Sequence, residues 1–209
     1  MRVAPRPSLT LEHSESTIDS CRRGDRAALE RVLRVEAPAV ERLLARMIGN
    51  AADVEDLLQE VMVAAMVGFA TFRGHASVRT WLARIAVKTA YDHLRRPLRR
   101  ERATLRLVAS DGDLVAPAPE HVVDDQRLVE RLHRHLDALS PKNRIALVLH
   151  VVEGRPMAEV AALMDATVAA TKTRVFLGRR ALLRRVKGDR TLCELLSGST
   201  TSSGKEKQV

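Results

Sequence analysis

Apolar residues recur at helical spacing along most of the chain, and this periodicity is the strongest constraint on its fold. Leu29, Val32 and Leu33 form one stripe, and the same i, i+3, i+4 pattern returns beyond Pro38 and again after Asn50. Aromatic residues make up only 2% of the sequence. Because strands usually draw on aromatic and β-branched side chains, this composition favours helical cores built from Leu, Val, Ala, Ile and Met. The pattern therefore predicts an all-α protein.

Cap and break residues mark the helix boundaries in the first half of the chain. Gly49 and Asn50 are expected to end one helix, because glycine favours the left-handed conformation that follows a helix. Asp53 and Ser77 are expected to cap the two helices that follow. Pro97 is predicted to stop the last of these, since proline lacks a backbone N–H. The apolar faces are predicted to comprise Leu29, Val32, Leu33, Val40, Leu43, Leu44, Met47, Val54, Leu57, Leu58, Val61, Ala65, Val78, Leu82 and Ile85.

A stretch without helical periodicity, residues 98–119, separates two small helical domains. It contains Ala109-Ser-Asp-Gly-Asp and Ala116-Pro-Ala-Pro119, a composition typical of linkers. The predicted organisation is a disordered N-terminus over 1–16, a helical domain over 17–97, the flexible linker over 98–119, a second helical domain over 120–188 and a disordered tail over 189–209.

The second domain carries the pattern of a helix-turn-helix. Ser140-Pro141 begins one short helix, and Gly154 ends it. A further helix from Pro156 to Met164, a break at Asp165-Ala166-Thr167 and a long helix to about Lys187 then fit a DNA-binding unit. The side chains predicted to pack across the turn are Val160, Ala161, Met164, Val168 and Val175.

The long helix of this unit is one-sided in charge. No acidic residue lies between Asp165 and Asp189, whereas seven basic residues do: Lys172, Arg174, Arg179, Arg180, Arg184, Arg185 and Lys187. Such a helix suits contact with phosphates, while its first turn reaches base edges in the major groove. A solvated basic helix on an ordinary bundle is the alternative at this point.

A second basic segment, Thr71 to Arg106, has aromatic residues interleaved with its arginines. Basic grooves with aromatic platforms suit single-stranded nucleic acid. The net charge of +9 agrees with a polyanionic partner. Trp81 is expected to belong to the core, whereas Phe72, beside the predicted turn Arg73-Gly74-His75-Ala76, is the better candidate for an exposed ring.

One helix carries the opposite charge. Its acidic residues are Asp53, Glu55, Asp56 and Glu60, with Gln59 beside them. In so basic a protein an acidic face indicates a basic protein partner rather than DNA. A catalytic carboxylate pair is disfavoured because no His, Lys or metal motif accompanies it.

Several classes of site are disfavoured by what the sequence lacks. Cys21 and Cys193 lie far apart and outside any CxxC pair, which disfavours a disulfide scaffold and a zinc site. His133 and His135 point in different directions on a helix, so no metal or cofactor is expected there. No signal peptide is evident, and the longest apolar run is about half as long as a membrane span needs. The expectation is a soluble cytoplasmic protein without membrane insertion and without enzymatic activity.

An ordered series of motifs resembles sigma factors. Asp53-Val-Glu-Asp-Leu-Leu-Gln-Glu-Val61, then Phe72-Arg-Gly-His-Ala-Ser-Val-Arg-Thr-Trp-Leu-Ala-Arg-Ile-Ala86 and Asp92-His-Leu-Arg-Arg96, resemble region 2 of the sigma-70 family, in its extracytoplasmic-function group. Gly24-Asp-Arg-Ala-Ala28 resembles the start of that region. Leu136-Asp-Ala-Leu-Ser-Pro141, Val152-Glu-Gly154 and Ala158-Glu-Val-Ala-Ala162 resemble region 4. The resemblance covers about residues 17–187.

The resemblance implies a protein that binds core RNA polymerase, through its β′ clamp helices and β flap, and directs promoter recognition, melting and transcription initiation. On the polymerase-binding helix it places Asp53, Asp56, Leu57, Gln59 and Glu60. At the minus-ten element, in duplex and single-stranded DNA, it places Phe72, Arg73, Gly74, His75, Ser77, Trp81, Arg84 and Lys88. At the minus-thirty-five duplex it places Thr167, Ala170, Lys172, Thr173, Arg174 and Arg179. It also implies an anti-sigma factor as partner.

The chain departs from the family at a few positions. Val78 replaces an aromatic residue beside the predicted base pocket. In region 4, Pro156 stands where a Ser cap is expected and Asp165 where a turn glycine is expected. Thr171 occupies an apolar position of the recognition helix, and Gly178 lies inside that helix at a cost of roughly 1 kcal/mol relative to Ala.

Three other functions stay open on the sequence. A sigma-like regulator would bind polymerase or DNA without supporting initiation. A stand-alone helix-turn-helix repressor would leave residues 17–96 unexplained. An enzyme acting on nucleic acid would need clustered acidic metal ligands facing the basic groove.

Overall fold

The computed structural model describes residues 15–105 and 125–189, and over these ranges the backbone is helical with no strand. Side chains are described over 15–96 and 131–189. The eight α-helices are α1 (Glu15–Arg22), α2 (Arg26–Ile48), α3 (Ala51–Gly68), α4 (Val78–Leu105), α5 (Asp125–Asp137), α6 (Pro141–Leu147), α7 (Met157–Leu163) and α8 (Val168–Arg185). The all-α prediction is confirmed. The predicted linker beyond residue 105, the tail beyond 189 and Cys193 lie outside the described residues.

The first helical unit consists of α1–α4, and α2 lies at its centre against the other three helices. The two apolar stripes on either side of Pro38 lie on this one helix. Burial on both sides of Pro38 outweighs the backbone hydrogen bond that the proline loses. Leu44, Val61 and Leu82, one from each long helix, are fully buried at the contact. Glu15 and Ser16 begin α1, so the prediction of disorder is wrong for these two residues, and residues 1–14 lie outside the described residues.

The helix ends of this unit are set by local hydrogen bonds. The Asp25 side chain accepts from the Ala28 amide at 2.9 Å and caps α2. Gly49 has a φ of 86° and ends α2, as predicted. Asn50, not Asp53, caps α3, because its side chain accepts from the Ala52 amide at 3.0 Å. The prediction for Asp53 was wrong by one turn, since Asp53 lies inside the helix where a carboxylate favours the helix dipole.

Helix α4 runs to Leu105, so the prediction that Pro97 ends it is wrong. A proline inside a helix removes its own bond to the carbonyl four residues earlier, here that of His93, and strains that turn, but the bonds on either side keep the helix continuous. The residues after Pro97, rich in Leu, Arg, Glu and Ala, are good helix formers and carry the helix onward. The helix therefore extends into the segment that was predicted to be a linker.

The second helical unit consists of α5–α8, with α6 and α7 packed against α8. Pro141 occupies the first turn of α6, and a single π turn, Val148–Val152, continues that helix until Gly154 reverses the chain with a φ of 68°. Val160, Ala161 and Val175 are buried as predicted, whereas Val168 is 41% exposed. Val168 is the first residue of α8, and the buried face of that helix is formed by Thr171, Val175, Gly178 and Leu182 instead.

Helices α6 and α8 approach each other closely at Gly178. A Cβ atom at this position would lie 3.0 Å from the Asn143 carbonyl oxygen. The glycine that looked like a cost to the helix is therefore what lets the two backbones approach this closely.

The two units contact each other, and their buried apolar residues form one continuous cluster. Helix α6 lies against α4, and α7 lies beside the start of α4. Over the described residues, no helix is both long and apolar enough to cross a membrane.

Candidate nucleic-acid and polymerase interfaces

Helix α3 presents an acidic face to solvent. Asp56, Gln59 and Glu60 are exposed, with Glu60 carrying an ion pair to Arg96 at 4.0 Å. Asp53 is half-buried, and its carboxylate lies 3.7 Å from the Nε2 atom of His93. This face is fixed by the burial of the opposite side of α3 in the core of the first unit.

Leu57, which the resemblance places with this acidic face, is only 2% exposed. Its side chain belongs to the core because it lies on the same stripe as Val54 and Val61. The placement of Leu57 in the polymerase contact stays a prediction, and its burial in the core argues against a direct contact. Its role is to hold α3 in place.

The turn between α3 and α4 is a short 3₁₀ segment, Phe69–Thr71, followed by an exposed loop. The Thr71 hydroxyl donates to the Gly68 carbonyl at 2.8 Å, and the Ser77 hydroxyl accepts from the Thr80 amide at 3.2 Å. Gly74 has a φ of 76°, a conformation that favours glycine. Ser77 is therefore the cap of α4 that the sequence predicted.

The aromatic rings beneath this turn form a cluster. The rings of Phe69 and Trp81 meet edge to face with centroids 5.5 Å apart, and Phe72 lies 5.2 Å from Phe69 and 5.4 Å from Trp81. Phe72 is only 7% exposed, so the expectation of an exposed ring was wrong. Its ring turns inward because the cluster offers two aromatic partners. Trp81 is half-buried, which agrees with the core interpretation.

A cavity of about 330 Å³ lies above the cluster. The first unit lines it with Thr71, Phe72, Arg73, Gly74, His75, Ala76, Thr80, Trp81 and Arg84. Arg84 and Lys88 are exposed one turn apart on α4. Six of the eight predicted minus-ten residues line this pocket, and the two that do not are Ser77 and Lys88.

The helix-turn-helix places its residues as follows. Asp165 has a φ of 48°, so an aspartate takes the left-handed position for which the family uses glycine. The Thr167 hydroxyl accepts from the Ala170 amide at 3.1 Å and caps α8. Lys172 and Thr173 are exposed, and the Thr173 hydroxyl donates to the Ala169 carbonyl at 3.1 Å. The remaining predicted DNA contacts are half-buried: Ala170, Arg174 and Arg179.

Thr171 is fully buried on the inner face of α8. Its hydroxyl donates to the Thr167 carbonyl at 3.0 Å, which satisfies the polar atom inside the helix. An apolar position can therefore hold this threonine without an unpaired hydroxyl.

Two family models match the chain, one to each unit. The Sigma-70 region 2 model matches residues 33–101, and the Sigma-70 region 4 model matches residues 129–182. The chain belongs to the sigma-70 family.

Relatives of this sigma factor place it in the extracytoplasmic-function group. It is 27% identical over 181 residues to RNA polymerase sigma-H factor of Pseudomonas aeruginosa, covering 83% of this chain and 94% of that protein. It is 32% identical over 165 residues to the extracytoplasmic-function sigma factor SigE of Mycolicibacterium smegmatis, covering 76% of this chain and 63% of that protein.

A solved structure shows the same fold. It is the sigma factor RpoE in complex with the anti-sigma factor NepR, from Bartonella quintana. The TM-score is 0.55 at 24% identity, over 77% of this chain and 98% of that chain. The sigma-70 family consists of transcription initiation factors rather than enzymes.

The structure adds residues to the pocket of this sigma factor that sequence reasoning missed. Arg22 of α1 donates through Nε to the Phe72 carbonyl at 3.1 Å and places its guanidinium 5.7 Å from the Phe72 ring centroid. Glu159, Ala162 and Leu163 of α7 line the far side of the cavity. No local pattern could have found them, because they lie about 50 to 90 residues from the turn in sequence.

Within the described ranges of this sigma factor, no group of three or more His, Cys, Asp or Glu side chains is arranged to hold a metal ion. Cys21 is a buried free thiol, and burial raises its pKa above the usual value, with the nearby Asp25 carboxylate adding to the rise. Such a thiol is protonated at neutral pH and is a weak nucleophile.

Proposed function

We propose that this sigma factor binds core RNA polymerase through the exposed face of α3 and melts promoter DNA at the turn between α3 and α4. It anchors to the upstream duplex through the start of α8. The observation that carries this proposal is the separation of charge on the first unit. One helix face is acidic and suits a basic protein surface, whereas the pocket rim is basic and suits DNA.

The polymerase contact is supported by Asp56, Gln59 and Glu60 of α3. All three are exposed on one side of a helix whose other side is anchored in the core. Charge complementarity across such a surface speeds association and selects the partner. The rigid backing of the helix keeps the three groups in fixed relation, so they require little ordering on binding.

Strand separation is supported by the pocket around Trp81. Extruding a base from the duplex costs a few kcal/mol, which the protein offsets with stacking and positive charge. The base enters between the turn and the aromatic cluster, and Arg73 lies on the exposed loop beside it. Arg84 and Lys88 hold the backbone of the captured strand along α4.

Duplex anchoring is supported by the first turns of α8. Lys172 and Thr173 are exposed there, within two turns of the N-terminus of α8 that Thr167 caps. Contacts of lysine and arginine with phosphates make such binding fall steeply with salt. The Thr167 side chain caps α8 and thereby orients the first turn, which makes the proposed contact with the duplex.

The proposed function also implies a regulatory partner for this sigma factor and a place in the cell where it acts. The related structure contains an anti-sigma factor bound to its sigma factor. We infer that this chain has an anti-sigma partner too and that it acts in the cytoplasm, where the polymerase is. RNA synthesis is carried out by the polymerase, so this chain needs no catalytic residue of its own.

The test is run-off transcription with purified core polymerase and a pool of genomic promoter fragments. The triple variant Asp56→Ala, Gln59→Ala, Glu60→Ala is expected to lose transcripts and polymerase binding by about tenfold or more, because it removes the centre of the contact. The matched control is Glu30→Ala with Glu41→Ala, which removes two exposed carboxylates from α2 instead. The control is expected to transcribe like wild type.

The outcomes separate the functions. Discrete transcripts that depend on the α3 face support the proposal. Polymerase binding without transcripts from any fragment indicates a sigma-like regulator. Tight duplex binding with no affinity for polymerase contradicts the proposal and favours a stand-alone repressor.

A further inference from the structure

Arg22, the last residue of α1, contacts the turn between α3 and α4 in three ways. Its Nε donates to the Phe72 carbonyl at 3.1 Å. Its guanidinium carbon lies 5.7 Å from the centroid of the Phe72 ring. Its Nη2 lies so close to Gly74 that a Cβ atom at that position would clash with it. One side chain from α1 therefore touches the turn at both Phe72 and Gly74.

Helix α1 gives this arginine a firm support. Cys21, next to Arg22, is only 4% exposed, and Ile18 packs against the same core. The Asp19 carboxylate, one turn earlier on α1, accepts from Nη1 of Arg22 at 3.2 Å. An arginine suits this position because its planar guanidinium presents several donors in fixed geometry and also lies well against an aromatic ring.

The exposed loop, residues 73–76, is held at its two ends by different means. At its far end the Ser77 hydroxyl accepts from the Thr80 amide at 3.2 Å, a bond within one segment of the chain. At its near end the Phe72 ring packs into the aromatic cluster, and the Phe72 carbonyl, which leads into the loop, accepts from Arg22. The bond from α1 therefore fixes the direction in which the loop leaves Phe72.

We propose that Arg22 is a positioning residue for strand capture, because it holds the turn in the conformation that admits the base. This inference rests on the proposed function of the pocket. It brings in a part of the chain that precedes the match to the Sigma-70 region 2 model, which begins at residue 33. Helix α1 acts on the captured strand through the turn.

Preorganisation is the physical reason for such a residue. A loose loop must be ordered when the base enters it, and that loss of conformational freedom weakens binding. Groups that are held in place beforehand avoid this loss, and a small misplacement of them slows the step that they serve. Arg22 therefore affects the step in which the base leaves the duplex, whereas docking on polymerase and on the closed duplex is independent of it.

A simpler interpretation of Arg22 is that its charge stabilises the end of α1. Cations near the last turn of a helix interact favourably with the helix dipole. Arg23, the next residue, carries the same charge at the same helix end and donates through Nη2 to the Ser20 hydroxyl at 3.2 Å. Arg23→Met is therefore the matched control, because it removes an equal charge from the end of α1 but leaves the contacts of Arg22 with the turn in place.

The first measurement is amide hydrogen exchange on the full chain by nuclear magnetic resonance. Arg22→Met removes the donors and the charge but keeps a side chain of similar reach. The Phe72 amide, which donates to the Phe69 carbonyl at 2.9 Å, is expected to exchange about threefold to tenfold faster than in wild type, as the loss of one hydrogen bond predicts. Arg23→Met is expected to leave this rate unchanged, and circular dichroism checks the helical content of both variants.

The second measurement separates docking from opening in the complex with core polymerase. The DNA is the promoter fragment that gives the strongest run-off transcript, and permanganate follows its unpaired thymines over time. Arg22→Met is expected to keep the affinity for the closed duplex and to lower the opening rate about threefold to tenfold. Arg23→Met is expected to open the fragment like wild type.

Two milder variants grade the effect. Arg22→Lys keeps the charge but lacks the fork of donors, so its opening rate is expected to lie between those of wild type and Arg22→Met. Asp19→Asn weakens the partner that orients Arg22, and its opening rate is expected to fall less than that of Arg22→Met.

The outcomes decide the role of Arg22. Faster exchange at Phe72 together with slower opening and unchanged docking supports the positioning role. Opening as fast as wild type in Arg22→Met overturns it, and so does an equal loss in Arg23→Met, which assigns the effect to charge at the end of α1. Neither of these two results contradicts the proposed function. A wild-type complex that opens no promoter fragment contradicts the proposed function itself, and the role of Arg22 in strand capture fails with it.

Discussion

The two helical units of this sigma factor pack their helices through different kinds of buried contact. The first unit buries a charged pair and an aromatic cluster between long helices. Glu36 of α2 is 1% exposed and accepts from Arg79 of α4 at 2.9 Å. The second unit brings the backbones of α6 and α8 close together at Gly178, and it satisfies the buried hydroxyl of Thr171 within a single helix.

The difference indicates which kind of substitution lowers the stability of each unit. A buried carboxylate depends on a partner from another helix, so the first unit is sensitive to loss of charge. A close backbone approach depends on the absence of a side chain, so the second unit is sensitive to added volume. The comparison is tested by removing a charge from the first unit and by adding side-chain volume to the second.

The largest effect is expected for Arg79→Met. It leaves the buried Glu36 carboxylate without this guanidinium, and we expect a loss of about 3 kcal/mol in the free energy of unfolding. Equilibrium urea unfolding of the full chain measures it. Arg26→Met is the comparison, because the Arg26–Glu30 pair is exposed and its loss should change stability by less than about 0.5 kcal/mol. Equal losses in the two variants would show that burial of Glu36 carries no special weight.

A smaller effect is expected for Gly178→Val in the second unit. The new side chain meets the Asn143 carbonyl oxygen, so α6 and α8 must separate, at a cost of about 2 kcal/mol. Ala169→Val makes a similar addition at an exposed position of α8 and should cost less than about 0.7 kcal/mol. If the Gly178→Val protein were as stable as the Ala169→Val protein, the close approach of α6 and α8 would not make the second unit sensitive to added volume.

The smallest effect is expected at the boundary between the units, from His133. Burial lowers the pKa of His133 below its usual 6.5, and the Arg144 guanidinium lowers it further, against an opposing effect of Asp137. The unfolded chain then binds more protons than the folded one, so stability rises with pH. This contribution is complete above the usual pKa and is lost as pH falls through the lowered pKa.

Unfolding midpoints measured between about pH 7.5 and about pH 5 test this sign. His133→Gln is expected to show a shallower slope than wild type. Some slope remains, because burial also lowers the pKa of His135. A slope that is unchanged in His133→Gln would assign the pH dependence to other groups.

Much of the fold follows from the sequence because helical periodicity is a local signal. The stripes of α2 and α3, the cap at Ser77 and the turn before α8 were all read from neighbouring residues. The errors have physical causes of the same kind. Local propensity predicts a helix end at Pro97 and a cap at Asp53, whereas the helix continues through Pro97 and Asn50 provides the cap.

The candidate site was less predictable because it is assembled across the chain. The acidic face and the basic turn are visible in sequence, since each lies on one segment. The inward turn of Phe72 and the support from Arg22 depend on contacts between helices distant in sequence. The contribution of α7 to the pocket depends on how two units meet, which no periodicity encodes.

Arg144 of α6 completes the last turn of α2, because its Nε donates to the Met47 carbonyl at 2.6 Å and its Nη2 donates to the Ile48 carbonyl at 2.9 Å. This contact has a consequence for synthesis on the ribosome. The guanidinium that completes the last turn of α2 lies 97 residues downstream of Met47 and 96 downstream of Ile48. The first unit leaves the exit tunnel long before that arginine does, and domains fold in the order in which they emerge. We therefore expect the nascent first unit to fold before the last turn of α2 has this side-chain partner, which translation of α6 supplies.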